Sequence, residues 1–262
     1  MGTEHATSEA TAVFSDAFQV AGDSVGPQVP EMIEADRVFL AARPGMLRKL
    51  LPLRIDAAGV TSGGVYLFDT YENAAAYGAW VAEEFVLDVG WGDLNVLDRP
   101  IFIEATSQVW NLIGAEDFAD VRTSQDVMRF ERWHTIEPVD TDDLRARWPE
   151  VRERAEEAGL TSVYLMYAPD RFHPQIGLVT VAANTASPPT GDAERDLAQL
   201  ASQPSLGDAI GKELVATKVF DRTSWVYEVW FPIEEGNDHE GSTVWPNSPP
   251  LPGVDASVPT RA

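Results

Sequence analysis

The chain has 262 residues, 44% of them hydrophobic, which is enough for one large domain or two ordinary ones with packed cores. The 19 Lys and Arg against 42 Asp and Glu give a net charge of −23, a field that repels phosphate backbones and anionic bilayers and so argues against nucleic acid and membrane partners. The absence of cysteine excludes disulfides, thiolate metal sites, Fe–S clusters and cysteine nucleophiles.

The opening MGTEHATSEA has neither a basic nor an apolar leader segment, and no apolar run approaches the roughly 20 residues that cross a bilayer, so the expected compartment is the cytoplasm. Residues 1–10 read as a disordered tail. TAVFSDAFQV (11–20) alternates like a strand, and residues 29–43 place Met32, Ala35, Val38, Phe39 and Ala42 on one helical face before Pro44-Gly45. Residues 46–56 and 60–70 read as two strands, the first irregular or at an edge because of Pro52. Residues 72–88 read as a helix with Ala76, Ala79, Trp80, Glu83 and Leu87 on one side, and 99–113 as a strand with a break.

The second half repeats that order. Residues 126–135 are strand-like; 140–160 form a helix ended by Gly159 and interrupted by Pro149. Residues 161–170 and 175–184 make a strand pair, 192–202 a helix, 212–223 a strand and 224–233 an additional strand. From residue 234 onward five prolines and no periodicity predict an extended tail, onto which Trp245 gives a packing handle.

Two βαββαβ units in one chain predict an α+β protein of tandem ferredoxin-like repeats, residues 11–125 and 126–233, between tails 1–10 and 234–262. Such a sheet covers one face with helices and must bury the other. Two units facing each other form an intrachain dimeric α/β barrel, and the chamber between the sheets is the expected place of function.

The stretch PGMLRKLLPLRIDAAGVTSGGVYLFDTYENAAAY resembles the small monooxygenase candidates of the ydhR type. There a proline-glycine stop leads into two strands, and a Gly-Gly-aliphatic-Tyr-Leu-Phe signature, here Gly63 to Phe68, precedes an acidic turn and an alanine-rich helix. ELVATKVFD (213–221) is similar to the closing strand of that module. The resemblance implies the dimeric α/β barrel superfamily, whose members include cofactor-free monooxygenases, polyketide cyclases and heme enzymes. In length and tandem halves the chain is also similar to the oxygenases that open rings of angucycline-type polyketides, which implies reduced flavin (FMN or FAD) as a dissociable cosubstrate, or no cofactor.

Gly63-Gly64 permits a twist, bulge or close backbone approach; beyond it Tyr66 and Phe68 share one strand face and Val65, Leu67 and Asp69 the other. His5 and His239 fall in the tails, leaving His134 and His173 as body histidines for proton transfer. His134 shares a face with Met128, Phe130 and Arg132, an apolar floor with a cation beside it; His173 sits in a hairpin turn. Asp16 between Phe14 and Phe18, Glu104 beside Phe102, and Glu228 between Val226 and Trp230 are carboxylates whose aromatic neighbours would raise their pKa. No histidine cluster predicts a metal. Among eight tryptophans, Trp110, Trp133, Trp225 and Trp230 lie on predicted strands and can line a slot for a flat ligand, with Tyr66, Phe68, Asn111 and Tyr164 beside them. Together with the resemblance these residues predict an oxygenase taking O2 and an electron-rich polycyclic phenol or quinol. The alternatives are a polyketide cyclase or isomerase and a non-catalytic binding protein; homodimerisation is left open.

Overall fold

The structure is a computed structural model that describes residues 9–20, 43–56, 59–83, 102–119, 126–135, 138–170, 174–183 and 217–230. For residues 53–56, 102–105 and 217–230, among others, it describes the backbone alone. The helices expected at 29–43 and 192–202, the tail from residue 234 and the expected unit boundary at 125/126 lie wholly or largely outside the described residues.

Strands β1 (Ala12–Val20), β2 (Met46–Asp56), β3 (Gly59–Phe68), β4 (Phe102–Asp117), β5 (Val127–His134), β6 (Ser162–Ala168), β7 (Gln175–Ala182) and β8 (Thr217–Trp230) are accompanied by helices α1 (Tyr71–Glu83) and α2 (Thr141–Glu157). The strands close into a barrel in the order β1-β3-β2-β8-β5-β7-β6-β4, with every neighbouring pair antiparallel. Closure leaves no edge within this ring. Residues 12–117 contribute the order β4-β1-β3-β2 and residues 127–230 the order β8-β5-β7-β6, an α+β architecture with the strand order of a ferredoxin-like sheet in each stretch. Helix α1 packs on β1, β3 and β4, and α2 on β4 and β6.

Alternation divides each strand between two packed environments. Val13, Leu50, Val65, Leu67, Trp110, Met128, Phe130, Tyr164, Met166, Val179 and Val181 turn inward and form one cluster. Phe14, Tyr66 and Phe68 turn outward and meet Tyr77 of α1 at ring-centroid distances of 5.0, 5.1 and 5.4 Å. Under α2, Leu144, Val151 and Ala155 pack on Val163, Leu165, Tyr167, Ile176 and Leu178. Because both faces are covered, these strands are apolar on both sides.

Several expectations change. Strand β2 is not an edge: it pairs with β3 and with β8, and Pro52 is accommodated where pairing to β3 lapses between Leu50↔Val65 and Leu53↔Ser62. The glycine pair lies opposite that lapse, and Gly63 uses its missing side chain on its other flank, where a Cβ would strike the Asp16 carbonyl and lie 2.9 Å from Ala17 Cα. The expected break in β4 is a register shift against β6 between Leu112 and Gly114 within one continuous strand. Residues 212–223 and 224–233 do not make two strands; one strand, β8, runs from Thr217 to Trp230, pairing first with β5 and then with β2.

Helix α1 buries Ala74, Tyr77 and Val81 rather than Ala76 and Ala79, which are exposed, because the aromatic cluster of the sheet selects Tyr77 as its anchor. Helix α2 runs through Pro149 uninterrupted; the proline sits on the exposed side, where the carbonyl it deprives of a donor can turn to water. Asp140 caps the start of α2 by accepting from the Asp142 amide, and Gly159 at φ +68° ends it, with Gly159 N–H bonded to the Glu156 carbonyl and Leu160 N–H to the Ala155 carbonyl.

Candidate functional site

The barrel interior is layered. At one end Arg48 of β2 forms a two-pronged ion pair with Asp117 of β4 at 3.1 and 2.8 Å and donates to the Tyr164 hydroxyl of β6, which itself lies 3.3 Å from Asp117. The Arg48 and Asp117 side chains are almost wholly buried, so this is a buried polar knot that ties three strands together. In the middle lies Trp110, fully buried; its indole N–H donates to Ser15 Oγ, its ring meets Phe130 at 5.8 Å, and Gly177 leaves the room its six-membered ring occupies. Leu67, Tyr164, Met166 and Val179 around it are fully buried too. Among the described residues the middle of the expected chamber is therefore filled by the chain's own side chains.

The other end opens. Along β5 every residue from Val127 to Glu131 is buried; beyond that the inward residues Arg132 and His134 become partly exposed while outward Trp133 stays buried. Strand β1 behaves alike: Ala17 and Gln19, inward, are partly exposed and outward Phe18 is buried. In the ring order β1 and β5 stand diametrically opposite. This mouth thus has one wall bearing Arg132 and His134 and an opposite wall bearing Ala17 and Gln19. Gln108 of β4, which pairs with Ser15 of β1, is partly exposed on the same inner face.

Arg132 is the distinctive group of the mouth. Its guanidinium carbon lies 5.7 Å from the Phe130 ring centre, and burial holds its pKa below the ordinary arginine range. A partly dehydrated cation over an aromatic ring exerts a stronger field than one in bulk water. His134, two residues along the same face, adds a group able to carry a proton at neutral pH.

The structure brings His134, Trp110 and Tyr164 into the barrel interior, each at a different level. It takes Tyr66, Phe68, Asn111 and Trp133 out of it. Tyr66 and Phe68 are on the α1 side, Asn111 follows inward Trp110 and so faces outward, and Trp133 packs in the cluster under α2. Asp16 also faces outward, where it accepts from the Tyr66 hydroxyl at 3.2 Å, with Lys49 Nζ 5.0 Å from the Tyr66 ring centre. These three buried groups belong to the sheet–helix layer, so Asp16 is not a lumen acid. The backbone of Glu104 pairs with Gln19 of β1, that of Glu228 with Leu50 and that of Trp230 with Arg48; their side chains, and all of His173, lie outside what is described. Arg48 and Asp117 do carry a signal in the sequence: a pair of cations set among leucines in MLRKLL, and an acid closing a long strand.

Among the described residues no group of three His, Asp or Glu is arranged to hold a metal ion, and no helix is long and apolar enough to cross a membrane. The sequence matches no protein-family model, and no curated protein matches it. Solved structures similar in outline include a monooxygenase candidate of Fusobacterium nucleatum at 15% identity, covering 83% of this chain and 91% of that one with a TM-score of 0.48. A monooxygenase candidate of Lactobacillus acidophilus is similar at 15% identity, 83% and 94% coverage and a TM-score of 0.47. An anthrone oxidase-like protein is similar at 12% identity, 84% and 92% coverage and a TM-score of 0.48. Likeness at this level concerns the course of the chain and carries no argument about chemistry.

Proposed function

We propose that the protein is an oxygenase that takes a planar, electron-rich aromatic such as a polyketide-like phenol or quinol into the mouth bearing Arg132 and His134. The observation that carries this reading is the emergence of the inner face of β5 from burial at those two residues, above Phe130 and the buried Trp110. His134 accepts the phenolic proton, which raises the electron density of the ring toward O2. Phe130 and the apolar residues below it exclude water and hold the ring flat. For a substrate with a ring methylene the reaction closes without a cofactor: the CH2 becomes a carbonyl, one oxygen atom of O2 enters it and the other leaves as water with the two hydrogens. For ring hydroxylation, reduced flavin would supply the two further electrons.

We further propose that the chain is a fused pair of ferredoxin-like units, 11–125 and 126–233, acting in the cytoplasm, alone or as a homodimer. The matched strand orders and the matched burial of β1 and β5 support the pairing of two units. The test is oxygen uptake with a dihydroxyanthrone, with and without reduced FMN, for the natural sequence and His134→Ala. Uptake that falls at least tenfold in His134→Ala supports the reading. Turnover unchanged in that variant removes His134 from it, and no uptake in either condition favours a cyclase or a binding protein of the same pocket.

A further inference from the structure

We infer that Gln19 of β1 and Gln175 of β7 are the specificity residues of the mouth, holding hydroxyl or carbonyl oxygens on opposite edges of an uncharged planar ligand. The inference deepens the proposed function, since it rests on the reading that this mouth is the ligand site.

The two walls repeat one arrangement. On β1 and β3, Ala17 pairs with Gly63, and two residues nearer the rim Gln19 pairs with Thr61. On β5 and β7, Arg132 pairs with Gly177, and two residues nearer the rim His134 pairs with Gln175. Alternation from Val13, Val65, Met128 and Val179 of the inner cluster turns Gln19, Thr61, His134 and Gln175 to the interior, and all four are partly exposed. Ala168, on the other flank of Gln175, is wholly buried, so Gln175 stands where the core gives way to water. Because β1 and β3 lie across the ring from β5 and β7, Gln19 and Gln175 belong to opposite polar ledges.

Gln108 supplies the contrast. Its amide donates to the neighbouring Val109 carbonyl at 2.8 Å, whereas the side chains of Gln19, Thr61 and Gln175 make no hydrogen bond to the chain. A carboxamide offers two donors and an acceptor at one end, so it can meet a hydroxyl or a carbonyl without bringing a charge. Below the ledges the lumen is aromatic, with Phe130 against Trp110, which suits a flat body whose oxygens reach up to the rim. The net charge of −23 repels anions, and an uncharged ligand meets no such opposition. A ligand with oxygen on one edge engages one ledge and leaves the other to water, so the pair of ledges selects for substitution on both.

The test is calorimetric binding, under argon, of three neutral probes: 1,5-dihydroxynaphthalene, with hydroxyls on opposite edges, 2,3-dihydroxynaphthalene, with both on one edge, and 1-naphthol. The first should bind at least about fivefold more tightly than the other two, the worth of one further hydrogen bond. That preference should be lost in Gln19→Leu and in Gln175→Leu, each of which keeps its affinity for 1-naphthol. Circular dichroism verifies that each variant is folded, and the preference of the natural protein is a test that needs no variant. Equal binding of the two dihydroxy isomers, a preference that survives in either leucine variant, or no binding of any probe at millimolar concentration overturns the inference. Because the readout is binding, absence of oxygen uptake leaves the inference standing, and an active oxygenase indifferent to the placement of the hydroxyls defeats it alone.

Discussion

Trp110 of β4 donates its indole N–H to Ser15 Oγ of β1 at 2.8 Å inside the barrel, so the largest fully buried side chain among the described residues is held by its polar edge as well as by its faces. Ser15→Ala leaves that donor unanswered and is expected to cost about 1–3 kcal/mol. Trp110→Ala empties the middle layer and is expected to cost about 3–5 kcal/mol. Urea unfolding followed by circular dichroism measures both; a Ser15→Ala variant as stable as the natural protein would refute the anchoring role.

The knot of Arg48, Asp117 and Tyr164 should be costly to break and cheap to replace. Asp117→Ala leaves the buried Arg48 charge without its carboxylate, for which about 3–5 kcal/mol is expected. The double variant Arg48→Met, Asp117→Leu should recover most of the loss, since two apolar groups remove the desolvation cost together. A double-mutant cycle by chemical denaturation checks this, and additive losses would show that the pair is not coupled.

Gly63→Ala and Gly177→Ala test how close the strands come. At Gly177 an added Cβ meets the tip of Met166 at 2.9 Å and the Trp110 ring at 3.1 Å, and the methionine can swing aside. At Gly63 it meets backbone of β1, which cannot. Both should destabilise, by about 1–3 kcal/mol for Gly177→Ala and more for Gly63→Ala. The reverse order in thermal melts would contradict the geometry.

Gly159 offers a clean backbone test. At φ +68° it closes α2, and an added Cβ would touch nothing within 4 Å, so only the conformational penalty remains. Gly159→Ala should cost about 1 kcal/mol and Gly159→Asn less. Calorimetry distinguishes them, and an Ala variant without loss would place the turn elsewhere.

The strands were legible because period-two patterning survives even where both faces are apolar. The bounds of β2 read from the sequence coincide with Met46–Asp56, and alternation put Met128, Phe130, Arg132 and His134 together. What alternation could not tell is which face is the interior: Val65 and Leu67 look as buriable as Tyr66 and Phe68, and the choice is made by α1 presenting Tyr77 to the second pair. The polar run Asp221 to Ser224 read as the end of one strand and the start of another, whereas β8 passes through it while exchanging β5 for β2 as partner. The packed middle layer was hidden for a different reason. A slot for a ring and a core built from a ring have the same composition, and only the glycine at 177 and the serine at 15 mark Trp110 as filling.

Ring closure also sets an order of events during synthesis. Strand β2 is made early, yet one of its two partners, β8, is the last strand of the barrel, separated from it by more than half the chain. Until that strand leaves the ribosome, β2 presents bare amides and carbonyls to whatever is near, as does β4 until β6 arrives. A nascent chain stalled before Thr217 is thus the form most apt to stick to its neighbours, and chaperone dependence should concentrate there.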